Sequence, residues 1–174
     1  MEFYVGATDI GTGECVFHKC DDGGELDLKW MRASASMPVA SKPVEIEDRF
    51  YLDGGIADSI PYKFVENLGC DRSLIVLTQP QGYIKRKMSF LMKIALRKYP
   101  AAAEGMMKRH LMYNKQVEEI EEKERKGEVF VIRPPQPLGI GRTEKDPDKL
   151  DRAYRIGREE AEARLPLLRD YLFG

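Results

Sequence analysis

Four consecutive apolar residues, Leu74-Ile75-Val76-Leu77, constrain the fold of this chain more than any other stretch. A run of strand length without alternation offers no polar face to water, so it is expected to be a strand buried on both faces by helices, as in βα architecture. The residues before it agree. Pro61 sits where a helix starts and Gly69 where one stops, which predicts a short helix over Pro61 to Leu68. The fold class is therefore α/β, with Leu74 to Leu77 as a central strand.

Around that strand the chain changes character. In the N-terminal half, Glu2 to Asp9 and Cys15 to His18 read as a hairpin about the Gly11-Thr12-Gly13 turn. A short helix is expected over Leu26 to Ala33. The small-residue stretch Ala33 to Pro43 should be an irregular loop packed closely against the core. Two short strands between Glu45 and Leu52 fold back on each other and end at Asp53-Gly54-Gly55. The C-terminal half is predicted mainly helical. It comprises Ser89 to Tyr99, Ala101 to about Lys126 across Pro100, a strand at Glu128 to Arg133, and a last helix opened by Asp146-Pro147. Phe3-Tyr4-Val5 reads as buried strand almost from the first residue, so polypeptide is expected to precede Met1 in the natural protein.

Composition narrows the function. The balance of 28 basic against 29 acidic residues gives a net charge of -1, without the global field that recruits nucleic acid, so no nucleic-acid partner is expected. Cys15, Cys20 and Cys70 are too few and too irregularly spaced for a zinc site or disulfide framework, and read as reduced cytoplasmic thiols. No metal and no cofactor is expected. Met1 to Gly6 lacks the pattern of a signal peptide, and no apolar run is long enough to span a bilayer.

The candidate chemistry lies at Phe50-Tyr51-Leu52-Asp53-Gly54-Gly55. Aspartate followed by glycine is first a turn signal, because glycine accepts positive φ and the aspartate caps its own turn. Here an apolar strand delivers the carboxylate into a two-glycine turn ahead of a helix, which places Asp53 at a strand end, where α/β proteins gather active sites.

Several strings occur in order: Val5-Gly6-Ala7-Thr8-Asp9, Ala33-Ser34-Ala35-Ser36-Met37-Pro38, Tyr51-Leu52-Asp53-Gly54-Gly55-Ile56-Ala57-Asp58-Ser59-Ile60-Pro61, Ile75-Val76-Leu77-Thr78 and Gly82-Tyr83. Together they resemble the second half of bacterial patatin-like phospholipases, and Tyr113-Asn114 with Ile132-Arg133-Pro134 resembles that family's C-terminal extension. The resemblance implies a partial patatin-like three-layer α/β fold over residues 1–84 and a mainly helical C-terminal extension over 85–174. It further implies a serine-aspartate dyad acting on an acyl lipid, with Asp53 as base and Gly54 and Gly55 forming the motif turn. The family's Gly-x-Ser-x-Gly elbow and glycine-rich oxyanion loop are not in this sequence. Ser34, Ser36, Ser41, Ser59, Ser73 and Ser89 are its serines, and none sits between glycines at that spacing. The chain by itself is expected to be catalytically incomplete and, lacking its covering half, to self-associate. His18 and His110 are the only histidines, and both read as surface or structural.

A basic, methionine-rich stretch runs from Lys85-Arg86-Lys87 through Lys93 to Met106-Met107-Lys108-Arg109. Its spacing suits an amphipathic helix docked on a core. It also suits an interfacial helix whose Lys85, Arg86, Lys87 and Lys93 meet anionic lipid headgroups, a peripheral membrane contact that a phospholipase would need. The competing class is a non-catalytic lipid-surface or protein-interaction module that keeps the fold without the chemistry.

Overall fold

The computed structural model of the chain describes residues 1–89, 96–141 and 143–174. The chain is mixed α/β with a mainly helical C-terminal region. It divides into two compact units, Met1–Pro61 with Lys85–Val117, and Tyr62–Ile84 with Glu118–Gly174.

The first unit is built on an antiparallel sheet of β1 (Phe3–Asp9), β2 (Cys15–Cys20), β3 (Val44–Ile46) and β4 (Arg49–Asp53), in the order β2-β1-β4-β3. Both expected hairpins form. The turn between β3 and β4 consists of Glu47 and Asp48, both left-handed at φ 48° and 63°, which matches the twist of a two-residue hairpin. Tyr51 and Leu52 are neighbours on β4 and point to opposite faces. Tyr51 joins Ala7, Val44 and Ile46 against Trp30 and Ala33 of α1 (Glu25–Ser34). Leu52 joins Ile10 and Ile56 against Leu96 and against Ala102, Ala103 and Met106 of α3 (Pro100–Arg125). Each face of the sheet is thereby covered by a helix.

β1 is an inner strand. It pairs with β2 along Phe3 to Thr8 but with β4 only over Ala7 to Asp9. Its opening residues are not buried as expected: Phe3 is exposed, and burial sets in at Ala7.

The second unit holds α2 (Tyr62–Asn67), the remainder of α3, β5 (Ser73–Val76), β6 (Val129–Ile132) and α4 (Pro147–Phe173). Asp146 caps α4 as expected, accepting the backbone N–H groups of Asp148 and Lys149. Tyr171 of α4 ties the two strands, its hydroxyl donating to Glu128 C=O at 2.9 Å and accepting the Ser73 N–H at 3.1 Å.

The central strand expected over Leu74 to Leu77 is corrected here. β5 is one of two strands in a parallel ladder with β6, and it buries one face only. Ile75 and Leu77 are each 8% exposed, whereas Leu74 is 44% and Val76 67% exposed. An unbroken apolar run records that both faces are apolar; it does not record that this chain supplies a cover for each. The helix expected over Ser89 to Tyr99 falls largely on 90–95, outside the described residues. No helix among the described residues is long and apolar enough to cross a membrane.

Candidate active site

Asp53 ends β4, and its N–H donates to the Ser36 carbonyl at 2.8 Å, so the small-residue loop after α1 closes onto the strand end. Its Oδ1 accepts the Gly55 N–H at 2.7 Å and caps the single 3-10 turn Gly54–Ile56. Among the described residues Oδ2 has no hydrogen-bond partner, and the residue is half-buried. One oxygen is therefore fixed while the other keeps its lone pairs.

The turn beneath the carboxylate is fixed from below. Thr8, fully buried, donates its hydroxyl to Asp53 C=O at 2.9 Å, with Gly54 C=O at 3.3 Å, and accepts the Ala57 N–H at 3.3 Å. Neither glycine of the motif has positive φ. Their absence of a side chain is a matter of space: a Cβ on Gly54 would stand 2.4 Å from Gly6 O, and one on Gly55 would stand 3.0 Å from both Arg109 Nη2 and Asp53 Oδ1.

Two residues of α3 hold the far side. Arg109 Nε donates to Gly55 C=O at 2.5 Å and to Ser59 Oγ at 3.1 Å. Gln116 Nε2 donates to Asp58 Oδ1 at 2.5 Å and to Ile60 C=O at 3.2 Å, while its Oε1 accepts the Ile60 N–H at 3.2 Å. Cys15 lies close enough to the motif to feel the Asp58 and Asp53 carboxylates, but it is held as a thiol. Burial pushes its thiol up to about 12, with the Asp58 and Asp53 carboxylates adding to the effect.

Asp53 is thus a strand-borne carboxylate that caps a two-glycine turn, with β1 paired beside its strand. Residues 6–65, which contain all of this site except the α3 side chains, match the Patatin-like phospholipase family. That stretch is similar to patatin-like phospholipases. Residues 99–173 match a domain of unknown function, DUF6363. No curated protein matches the chain.

Two of the four serines within residues 6–65 have their hydroxyls bound to backbone carbonyls. Ser36 Oγ donates to Arg32 C=O at 2.7 Å and Ser59 Oγ to Gly55 C=O at 2.8 Å, so neither hydroxyl is committed to the Asp53 carboxylate. The basic residues do not form a helical face at Lys85 to Lys87, where the backbone is irregular. Lys85 is docked on α3 instead: its N–H donates to Asn114 Oδ1 at 2.8 Å, its C=O accepts Asn114 Nδ2 at 3.1 Å, and its Nζ lies 4.2 Å from the Tyr113 ring centre. Arg86 and Lys87 are exposed, and Lys93 lies outside the described residues.

His18 is structural. It stacks on Trp30 at 5.0 Å, and its Nε2 donates to Asp27 Oδ1 at 2.7 Å. His18, Cys20 and Asp27 could in principle gather around a metal ion. Their bonding is that of a tie within the fold, since Asp27 Oδ2 already accepts the N–H groups of Asp21, Asp22 and Gly23, and burial pushes the Cys20 thiol up, away from the thiolate a metal needs.

Thr8, Arg109 and Gln116 escaped the sequence reading. Thr8 belongs to the Val5-Gly6-Ala7-Thr8-Asp9 stretch, and a small hydroxyl residue at the buried end of a strand is a usable signal. Arg109 and Gln116 carried none, because the groups they bind are fifty or more residues away along the chain.

Proposed function

We propose that the chain is the aspartate-bearing part of a patatin-like lipid acyl hydrolase, with Asp53 as the base of a serine-aspartate dyad. The observation that carries this reading is the state of the Asp53 carboxylate: Oδ1 is anchored on the Gly55 N–H, and Oδ2 has no hydrogen-bond partner among the described residues. A base in a dyad must accept the serine proton without rotating away, and a carboxylate fixed through one oxygen meets that demand. The reaction is hydrolysis of a carboxylic ester. The serine hydroxyl passes its proton to Asp53 as its oxygen attacks the acyl carbonyl, the alcohol leaves with a proton, and water releases the fatty acid from the serine.

The nucleophile comes from a Gly-x-Ser-x-Gly elbow and the oxyanion donors from a glycine-rich loop, neither of which this sequence contains. The chain alone is therefore inactive. On this reading residues 1–84 carry the aspartate side of the site, and residues 85–174 form the extension. The exposed Arg86 and Lys87 serve contact with an anionic lipid surface, no nucleic acid is engaged, and the protein works in the cytoplasm. The isolated chain self-associates. Ester hydrolysis by the chain joined to its nucleophile segment, compared with the Asp53→Asn variant, tests the assignment.

A non-catalytic interaction module is the other reading, and the exposed apolar side chains of α4 favour it: Leu150, Tyr154, Leu165 and Phe173 all face solvent. Normal binding to lipid vesicles without ester hydrolysis in the completed protein is its signature.

A further inference from the structure

The boundary between the two family matches and the boundary between the compact units do not coincide. Residues 99–173 match the domain of unknown function, yet the start of α3, through Val117, packs in the same compact unit as the patatin-like stretch. Ala102, Met106, Arg109, Tyr113 and Gln116 recur at spacings of three and four residues, so they form one stripe of the helix. Ala102 and Met106 are buried in the cluster that contains Leu52 and Ile56, on either side of Asp53 in sequence. The helix backbone comes close here. A Cβ on Gly105 would stand 3.1 Å from Ile56 Cγ2, tight against the 3-10 turn that Asp53 caps.

Arg109 lies at the point of that stripe nearest the motif. Its Nε serves two acceptors, Gly55 C=O and Ser59 Oγ, and its Nη2 lies 3.0 Å from the position a Gly55 Cβ would take, as Asp53 Oδ1 does. The guanidinium and the carboxylate therefore flank the same face of Gly55. A planar fork can bind the carbonyl and hydroxyl while projecting a second nitrogen past them; a lysine ammonium cannot do both.

We propose that the first helix of the 99–173 segment is part of the active-site scaffold of the patatin-like segment, with Arg109 as the positioning residue that holds the Asp53–Gly55 turn. The proposal rests on the reading of Asp53 as the base, and it gives the domain of unknown function a defined task, bracing the aspartate turn from outside the patatin-like stretch. Arg109 acts through Gly55: with the Gly55 carbonyl pinned, its N–H stays aimed at Asp53 Oδ1.

The test is NMR on the whole 174-residue chain, comparing wild type with Arg109→Ala and Arg109→Lys. Two signals of the Gly55 amide are read: its hydrogen-exchange protection and its chemical-shift change on acidification, which reports the bond to the Asp53 carboxylate. Arg109→Ala is expected to lower Gly55 protection about tenfold and to shrink the acid-induced shift, with amides of the β1–β2 ladder unchanged. Arg109→Lys, which keeps the charge and loses the fork, is expected to fall between, and serves alone if the alanine variant does not fold. Gly55 protection and shift equal to wild type in either variant, or a loss shared equally by the β1–β2 ladder, overturns the proposal. Neither signal depends on ester hydrolysis. Its failure leaves the hydrolase reading standing, and an inactive completed enzyme leaves this result standing.

Discussion

A methyl group on Gly54 has nowhere to go. It would lie 2.4 Å from the Gly6 carbonyl oxygen and 2.6 Å from its carbon, both backbone atoms of the neighbouring strand β1. Gly54→Ala must part β1 from the turn, and a loss of at least about 2 kcal/mol is expected in urea or thermal unfolding. An unchanged unfolding midpoint would show that the strand yields more easily than close packing allows. Gly55 differs, because its crowding neighbours are the ends of Arg109 and Asp53. The motif was legible in the sequence as a turn with a carboxylate, but for a reason only partly right: the glycines answer to the approach of backbone and side chains rather than to positive φ. Arg109 was illegible, since a lysine- and arginine-rich helix looks the same whether one of its guanidiniums faces water or a carbonyl 54 residues upstream.

Among the elements, the link between β2 and α1 is organised around one carboxylate. Asp27 collects three backbone N–H groups and the His18 ring, and its acid strength responds: His18 first, then the Gly23 N–H, hold it down at about 2 from the ordinary 3.8. A group whose folded pKa is depressed stabilises the fold in its charged form. That contribution is complete above the unfolded value, near 4, and disappears as the pH falls through about 2. Asp27→Asn should therefore be less stable at neutral pH and show a flatter loss of stability between those two pH values in acid unfolding monitored by circular dichroism. A variant with the same acid limb as wild type would remove Asp27 from that role. The hairpins, α1, α2 and the Asp146 cap were all legible, because turn residues and caps act locally. β5 was legible as a strand and misread in its setting, because the cover over a strand face is supplied by other parts of a fold.

At the scale of the whole molecule, apolar side chains remain on the surface in several places. Val76 of β5, Tyr154 and Phe173 of α4 and Phe50 of β4 are all exposed. Phe3 to Gly6 of β1 also lack a partner strand on the side of β4 among the described residues. Such features are covered in stable assemblies. Size-exclusion chromatography with light scattering is expected to show species larger than one chain, growing with concentration; a strict monomer at all concentrations would mean that these surfaces need no partner. The most direct test of the central claim is the rate of short-chain aryl ester hydrolysis. It is measured for the chain alone, for the chain expressed together with a patatin-like segment that carries the Gly-x-Ser-x-Gly elbow and the oxyanion loop, and for that completed protein with Asp53→Asn. The account predicts no appreciable activity for the chain alone, clear activity for the completed protein, and a loss of about a thousandfold or more in the variant. Hydrolysis by the chain alone, or a completed enzyme indifferent to Asp53→Asn, would contradict it.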